Sequence, residues 1–476
     1  MKQQKITITT IKISSMKKFL MLALFAISLN LVNAQDKLFK KANTAFILNK
    51  VEEAKTEIDK AMTDPAAQTK AEGWLLQTRI YAELYFKEEW RTKYTGCGNI
   101  AFEAFKKYEA LDADYKMISE VTIGWRPLDL MYVTSFNGGR KFFDEKQWDS
   151  AYNTFATAAY LGEVIIKKDL RKNGAKIDTI SVLYTAYSAQ NGKKEAEASK
   201  YYEKFADLKI GGADYKDAYT YILVHAANIK DADKFYKYIT IAKEVYPDGD
   251  WDDYEFDYIN KNMTTQQKIA LYEKDNAAGT TSARKYLLFG QMFTDLSRDE
   301  KSDADSLTKA GYEHKALEAF KKSYDKDNKA GIAAFNAGVI YYNEFGVYEE
   351  RYNNNRRALQ DLNSNRPVVK DPKKKAAEDA KFKEQVDAIK SVNAALEKPL
   401  MDAADNSIIW LEKAFTIYKD ADISDRNTKN IMKNVVQWLS NSYMWKREKV
   451  KGKDVKAYDA FDAKYKEYDV LYDKYK

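Results

Sequence analysis

The sequence predicts an all-α chain built as a helical-hairpin solenoid, a superhelix of stacked helix pairs. Two observations carry that expectation. The 476 residues include only six prolines and 19 glycines, against 45 % hydrophobic and 31 % charged residues, so turn punctuation is sparse and long helices are favoured over a sandwich or barrel. Small and aromatic residues also recur at helical spacing along most of the chain, which is the mark of a repeat. Length alone would suggest about three domains. Stacked repeats remove that requirement, because each repeat packs only on its neighbours. The 35 tyrosines suit thin helical layers, where a ring enters a narrow core and its hydroxyl stays in water.

Residues 1–34 read as a cleavable signal peptide. Lys17 and Lys18 form a basic start, and Phe19 to Val32 is an apolar run broken only by Ser28 and Asn30. Val32-Asn33-Ala34 places a small residue before a cut at Ala34/Gln35. The run falls short of the ~20 residues of a comfortable membrane span. Met16 offers a more typical start than Met1; the first fifteen residues are either an upstream mis-start or a long basic region. Gln35, not a cysteine, stands directly after the cut, which argues against a lipid anchor. Five lysines precede the cut and no acid does, so the formal charge of +7 falls to +2 in the mature chain. That balance gives no electrostatic case for nucleic acid or an anionic membrane.

Tandem helical repeats are expected over residues 35–345. The first places Ala42 opposite Ala54, Ile58 and Ala61, with Pro65 as terminator. The second opens with Trp74, Thr78 and Tyr81 and continues, after a long loop containing Cys97, with Ala104, Tyr108 and Leu111. The third is the clearest: Gly139, Phe142, Trp148, Ala151, Phe155 and Ala158. The fourth carries Ala186, Ala198, Tyr202 and Phe205, and the fifth Leu223, Ala226, Ile239 and Ala242, closed by Pro247. The sixth pairs Tyr286 to Phe293 with Ala316, Phe320 and Ser323. The seventh opens with Asn336-Ala337-Gly338 and Tyr341 and resumes over Ile408 to Tyr418, with Leu411, Ala414 and Phe415 inward. Residues 346–400 are an insertion, with Arg356 to Lys375 a polar loop and Ala376 to Glu397 an extra helix. A C-terminal repeat fills 401–456. Residues 457–476 form an aromatic amphipathic helix, striped by Tyr458, Phe461, Tyr465, Tyr468, Tyr472 and Tyr475, that caps the last hydrophobic face.

On these residues the chain resembles the tetratricopeptide repeat family over most of 36–445. Gly139 to Ala151 spans the twelve residues the motif requires, and Asn336-Ala337-Gly338 with Tyr341 is close to its Asn-Leu-Gly-x-x-Tyr. No unit carries every signature position. Export with a Tyr- and Lys-rich degenerate array also resembles the envelope tetratricopeptide proteins of Bacteroidetes-like bacteria. The resemblance implies a scaffold that binds protein partners of the periplasm or cell envelope. It assigns no binding residues.

Candidate chemistry is thin. Cys97 is the only cysteine, which rules out an internal disulfide, and a catalytic cysteine would need a base that His225 and His314, both in other repeats, do not supply. Asp248, Asp250, Asp252 and Asp253 alternate like a calcium loop, but Asp253 and Ile259 stand where Gly and Glu are required. A capping loop is the expectation there, and a solvated loop at Ser302 to Ser306. No phosphate-cradling loop, zinc motif or nucleophile–base pair is present, so no enzyme and no cofactor are expected. Lys370 to Lys375 reads as a solvated basic loop. Trp74 and Trp148 match core positions, Trp90 has no assigned role, and Trp125 is the best candidate for an exposed aromatic. The alternative function is carbohydrate binding on the same scaffold.

Overall fold

The computed structural model describes residues 37–120, 124–169, 174–367 and 372–476, and every regular element among them is helical. They form two compact units, Met1–Gly249 and Asp250–Lys476. The expected signal peptide lies outside the described residues. No described helix is long and apolar enough to cross a membrane.

The first unit opens with α1 (Lys40–Ile47) packed on α2 (Val51–Ala61). Pro65 does not simply terminate α2. It takes the first position of a one-turn α3 (Pro65–Gln68), where its missing N–H costs nothing, and the Asp64 carboxylate caps Ala66 N–H at 2.8 Å. Next come α4 (Ala71–Phe86), the short α5 (Glu88–Lys93), α6 (Cys97–Leu111) and α7 (Lys116–Ser119). The long loop expected around Cys97 is absent: α5 occupies it, Gly96 turns the chain at φ 81°, and Cys97 starts α6 buried. Leu111, expected inward, is 50 % exposed because α6 ends on it. Then follow α8 (Arg126–Asp144) on α9 (Trp148–Lys167), α10 (Thr179–Asn191) on α11 (Glu195–Asp207), and α12 (Lys216–Asn228) on α13 (Ala232–Val245).

Four of these hairpins share one turn. Asn49, Lys146, Lys193 and Lys230 all sit in the left-handed region at φ 58–59°. The next N–H bonds five residues back: Lys50 to Ala45 O at 2.9 Å, Gln147 to Phe142 O at 2.8 Å, Lys194 to Ala189 O at 2.8 Å, Asp231 to Ala226 O at 2.9 Å. This Schellman closure satisfies the orphan carbonyls of the first helix and sets the entry of the second. It also puts the hairpins in register. Ala42, Gly139, Ala186 and Leu223 each lie seven residues before the left-handed residue, and Ala54, Ala151, Ala198 and Phe235 five after it; the seven that carry a side chain are buried, and Gly139 is buried with them.

The second unit holds α14 (Trp251–Asn262), α15 (Thr265–Ala278), α16 (Ala283–Arg298), α17 (Ser306–Lys326), α18 (Gly331–Ser364), α19 (Pro372–Tyr418), α20 (Arg426–Val450) and α21 (Val455–Tyr475). The pair α14 and α15 was not read from sequence. Close approach sets the hairpins here too: a Cβ on Gly290 would lie 2.5 Å from the Phe320 ring, and one on Gly338 2.8 Å from Leu411. Residues 346–400 differ from the expected insertion. Arg356 to Ser364 continues α18, the non-helical stretch begins only at Asn365, and Ala376 to Glu397 is not a separate helix but part of α19, which runs unbroken through Pro399. Both helices of one hairpin are simply extended. Their seam is held by Asn355 Nδ2 donating to Asn393 Oδ1 at 2.8 Å, and by Arg366, which bonds Asp379 at 2.8 Å and covers the Phe382 ring. Of the basic stretch 370–375, Lys374 and Lys375 are exposed on the first turn of α19; Lys370 lies outside the described residues.

The abundance of tyrosine has a structural account. Rings enter the inter-helix core and hydroxyls donate to carboxylates at its edge: Tyr81 to Asp59 at 2.8 Å, Tyr152 to Glu197 at 3.0 Å, Tyr443 and Tyr468 to Glu412 at 2.8 and 3.1 Å, and Tyr115 and Tyr160 both to Glu109. Each such charge-assisted bond contributes about 1.5–3 kcal/mol. In α21, Tyr468 and Tyr475 are buried and Phe461, Tyr465 and Tyr472 are packed against the same core.

Candidate interaction face

The turn register defines which side chains share a face on α8, α10 and α12. Thirteen residues before the left-handed position stand Val133, Ile180 and Asp217; nine before, Asn137, Tyr184 and Tyr221; six before, Arg140, Tyr187 and Val224. Val133, Ile180 and Val224 are 41, 56 and 46 % exposed, and the three tyrosines are half-buried. Val133 and Ile180 hold the same register place on α8 and α10, while Val224 lies two turns further along the same side of α12, where Asp217 holds that place; packing within the unit does not explain these large aliphatic side chains left in water.

Neighbouring contacts hold these helices side by side. Ser181 Oγ of α10 donates to the Tyr132 hydroxyl of α8 at 3.3 Å. The Tyr184 ring meets Phe136 and Phe143 edge-on at 6.0 and 5.2 Å and stacks on Phe155 at 5.1 Å. Tyr202 of α11 bridges onward, with ring contacts to Tyr187 at 6.1 Å and Tyr221 at 5.0 Å. A shallow hollow of about 380 Å³ lies along α8 over Asn137, Arg140, Lys141, Asp144 and Glu145.

Tyr187 and Tyr221 of this face stay neutral. Burial, then the charges of Asp217 and Asp214, push the Tyr187 hydroxyl above its ordinary pKa; burial and then Glu195 do the same to Tyr221. Unlike the tyrosines that donate to carboxylates, Tyr184, Tyr187 and Tyr221 make no hydrogen bond through their hydroxyls among the described residues. Aliphatic side chains, ring faces and unspent donors together suit an extended polypeptide, which offers apolar side chains and main-chain carbonyls in alternation.

Other sequence candidates resolve into structure. Asp252 accepts from Ser282 Oγ at 2.5 Å and Asp253 takes a bidentate bond from Arg284 at 2.9 Å, so these carboxylates clamp α14 to α16 rather than cap α14; Asp250, in the capping position, makes no side-chain cap. Asp305 caps α17 through Thr308 N–H at 2.8 Å. Cys97 is buried, and burial raises its thiol pKa. Trp125, expected exposed, packs on the first core, 5.8 Å from the Tyr115 ring, because it closes the N-terminus of α8. All eight tryptophans are buried or half-buried. Among the described residues no three His, Cys, Asp or Glu side chains are placed to hold a metal ion.

The hairpins are tetratricopeptide-like. Gly139 faces the Phe155 ring and Gly290 the Phe320 ring across their pairs, and the shared turn sets the register of four hairpins. No protein-family model matches the chain, and no curated protein matches it. Among solved structures, a circular tandem repeat protein with novel repeat topology and enhanced subunit contact surfaces aligns over 96 % of both chains at 11 % identity with a TM-score of 0.20. The Cut9–Hcn1 hetero-tetramer of APC/C aligns over 94 % of this chain and 93 % of its own at 12 % identity with a TM-score of 0.19. Alignments that loose carry no weight, and the all-α helical-repeat fold rests on the helices and turns themselves.

Proposed function

We propose that the chain is a protein-binding scaffold of the exported, envelope type, which holds an extended segment of a partner protein across α8, α10 and α12. The observation that carries this reading is the exposure of Val133, Ile180 and Val224 on the side of α8, α10 and α12 that also carries the half-buried Tyr184, Tyr187 and Tyr221. Binding is the activity this reading assigns to the face: apolar side chains and ring faces suit an extended partner segment. Export to the periplasm or cell envelope is supported by Lys17-Lys18, the apolar run to Val32 and the small residues before Gln35.

Two measurements test this. Affinity capture of the tagged mature chain from envelope extract should recover a protein partner in near-stoichiometric yield, and Ile180→Asp should lose it without unfolding. Equal recovery with wild type and variant would refute the assigned face. N-terminal sequencing of the chain from the periplasmic fraction should begin at Gln35; an intact N-terminus in the cytoplasm would refute export.

A further inference from the structure

Within both units a three-part arrangement recurs: a lysine ammonium lies over a tyrosine ring and pairs with a carboxylate beside it. Lys106 lies 4.1 Å from the Tyr160 ring centre and bonds Glu109 at 2.7 Å. Lys237 lies 4.5 Å from the Tyr238 ring and bonds Asp207 at 2.8 Å. Lys55 with Tyr81 and Asp59, and Lys204 with Tyr201 and Glu163, repeat it. The ring quadrupole and the carboxylate attract the same cation, so each supports the other.

The face on α10 and α12 has two of the three parts. Tyr187 and Tyr221 supply rings. Both rings meet Tyr202, and Asp217 stands one turn before Tyr221 on α12, in the register place that Val133 and Ile180 hold on α8 and α10. The charges of Asp217 and Asp214 bear on the Tyr187 hydroxyl, and that of Glu195 on Tyr221. Yet among the described residues none of these three carboxylates forms an ion pair, and no cation lies over the rings of Tyr184, Tyr187 or Tyr221. His225 does not fill the place. It is 8 % exposed, stacks parallel to Tyr221 at 6.5 Å, leaves Nδ1 without a partner, and is held below its ordinary pKa by burial and then by the charge of Lys234. Lys234 itself is engaged by Glu203.

We infer that the partner segment presents a basic side chain, lysine or arginine, which seats beside Tyr187 and Tyr221 and completes with Asp214, Asp217 and Glu195 the arrangement that the chain builds internally elsewhere. This rests on the reading of α8, α10 and α12 as a peptide-binding face, and it gives that face a charge preference. A partner lysine placed there exchanges its hydration for an ion pair and a ring face at once, and an acidic segment meets three unpaired carboxylates.

The test uses the mature chain and two dansyl-labelled octapeptides, one alternating lysine with valine and one with glutamate in place of lysine. The lysine peptide binds and the glutamate peptide does not. The double variant Asp214→Asn, Asp217→Asn, both at exposed positions, weakens the lysine peptide about tenfold with an unchanged melting temperature, since loss of about 1.4 kcal/mol is a factor of ten. Ile180→Asp abolishes binding of the valine-bearing peptide by removing the apolar contact. Undiminished binding to the double variant, with loss in Ile180→Asp, overturns the basic-segment inference and leaves the face. Binding of the lysine peptide that survives both variants, or binding of neither peptide at any salt concentration, overturns the face as well.

Discussion

A Cβ built on Gly139 would lie 2.7 Å from the Phe155 ring, whereas one on Gly138, its neighbour in α8, would meet nothing closer than Thr154 Cγ2 at 3.5 Å. The two glycines share a helix and differ only in which way they point. Gly139→Ala forces the buried Phe155 to shift and should destabilise the first unit by about 1–3 kcal/mol, the range for overpacking. Gly138→Ala should stabilise it by about 0.5–1 kcal/mol through helix propensity. Urea unfolding followed by circular dichroism measures both. Equal effects of the same sign would show that close packing at Gly139 is not what sets the α8–α9 pair.

The α19–α20–α21 core depends on Glu412, which accepts from both Tyr443 and Tyr468. Glu412→Leu leaves two largely buried hydroxyls without an acceptor and should cost roughly 2–6 kcal/mol, at about 1–3 per unsatisfied group. Tyr468→Phe removes one donor and keeps the ring, so about 1–2 kcal/mol is expected. A Glu412→Leu variant no less stable than Tyr468→Phe would show that the hydroxyls find other partners.

Acid should weaken the first unit through Glu109. Burial alone would raise its pKa, but bonds from Lys106, Tyr115 and Tyr160 together outweigh burial and hold it below the ordinary carboxylate value. A depressed folded-state pKa gives stability that is present above the unfolded pKa of about 4.3 and lost as pH falls through the folded value. Glu109→Gln should therefore flatten the fall in stability below about pH 4.3. An acid limb as steep as that of the wild type would assign the dependence to other carboxylates. Asp112, which burial alone would raise but which the Met117 N–H, the Tyr108 hydroxyl and the Lys116 N–H hold low, is one of them.

Lys193 occupies the left-handed turn between α10 and α11 at φ 59°. A side chain there is strained by about 1 kcal/mol or more, and glycine is not. Lys193→Gly should raise stability by up to about 1 kcal/mol, and Lys193→Val should lower it. The order glycine, lysine, valine in a thermal melt is the expected result.

Much of the fold was legible in the sequence, because a helix pair has to place small residues where backbones cross. Ala42, Ala151, Ala186, Ala198 and Phe155 were all read as inward, and all are buried. The pair α14 and α15 was missed because it carries no such pattern: in α15 only Tyr272 is buried. The end of α18 reads as a loop, and Ala376 to Glu397 as a separate helix, because Arg356 to Lys375 is polar, and two helices that protect only a narrow seam can be polar around most of their circumference. The interaction face was invisible for a different reason. The repeat signature marks core positions, whereas Ile180 and Val224 lie between them. Only the turn register at Lys193 and Lys230 shows that they stand on one side.

The central claim is that α8, α10 and α12 hold a partner protein, and site-specific photo-cross-linking reads it most directly. A benzoylphenylalanine placed at Ile180, and in a second protein at the exposed Lys200 on α11 as control, is irradiated in cells that make the full chain. The account expects one discrete cross-linked protein from position 180 and none from position 200. Identical products from both positions, or a product from position 200 alone, would contradict it.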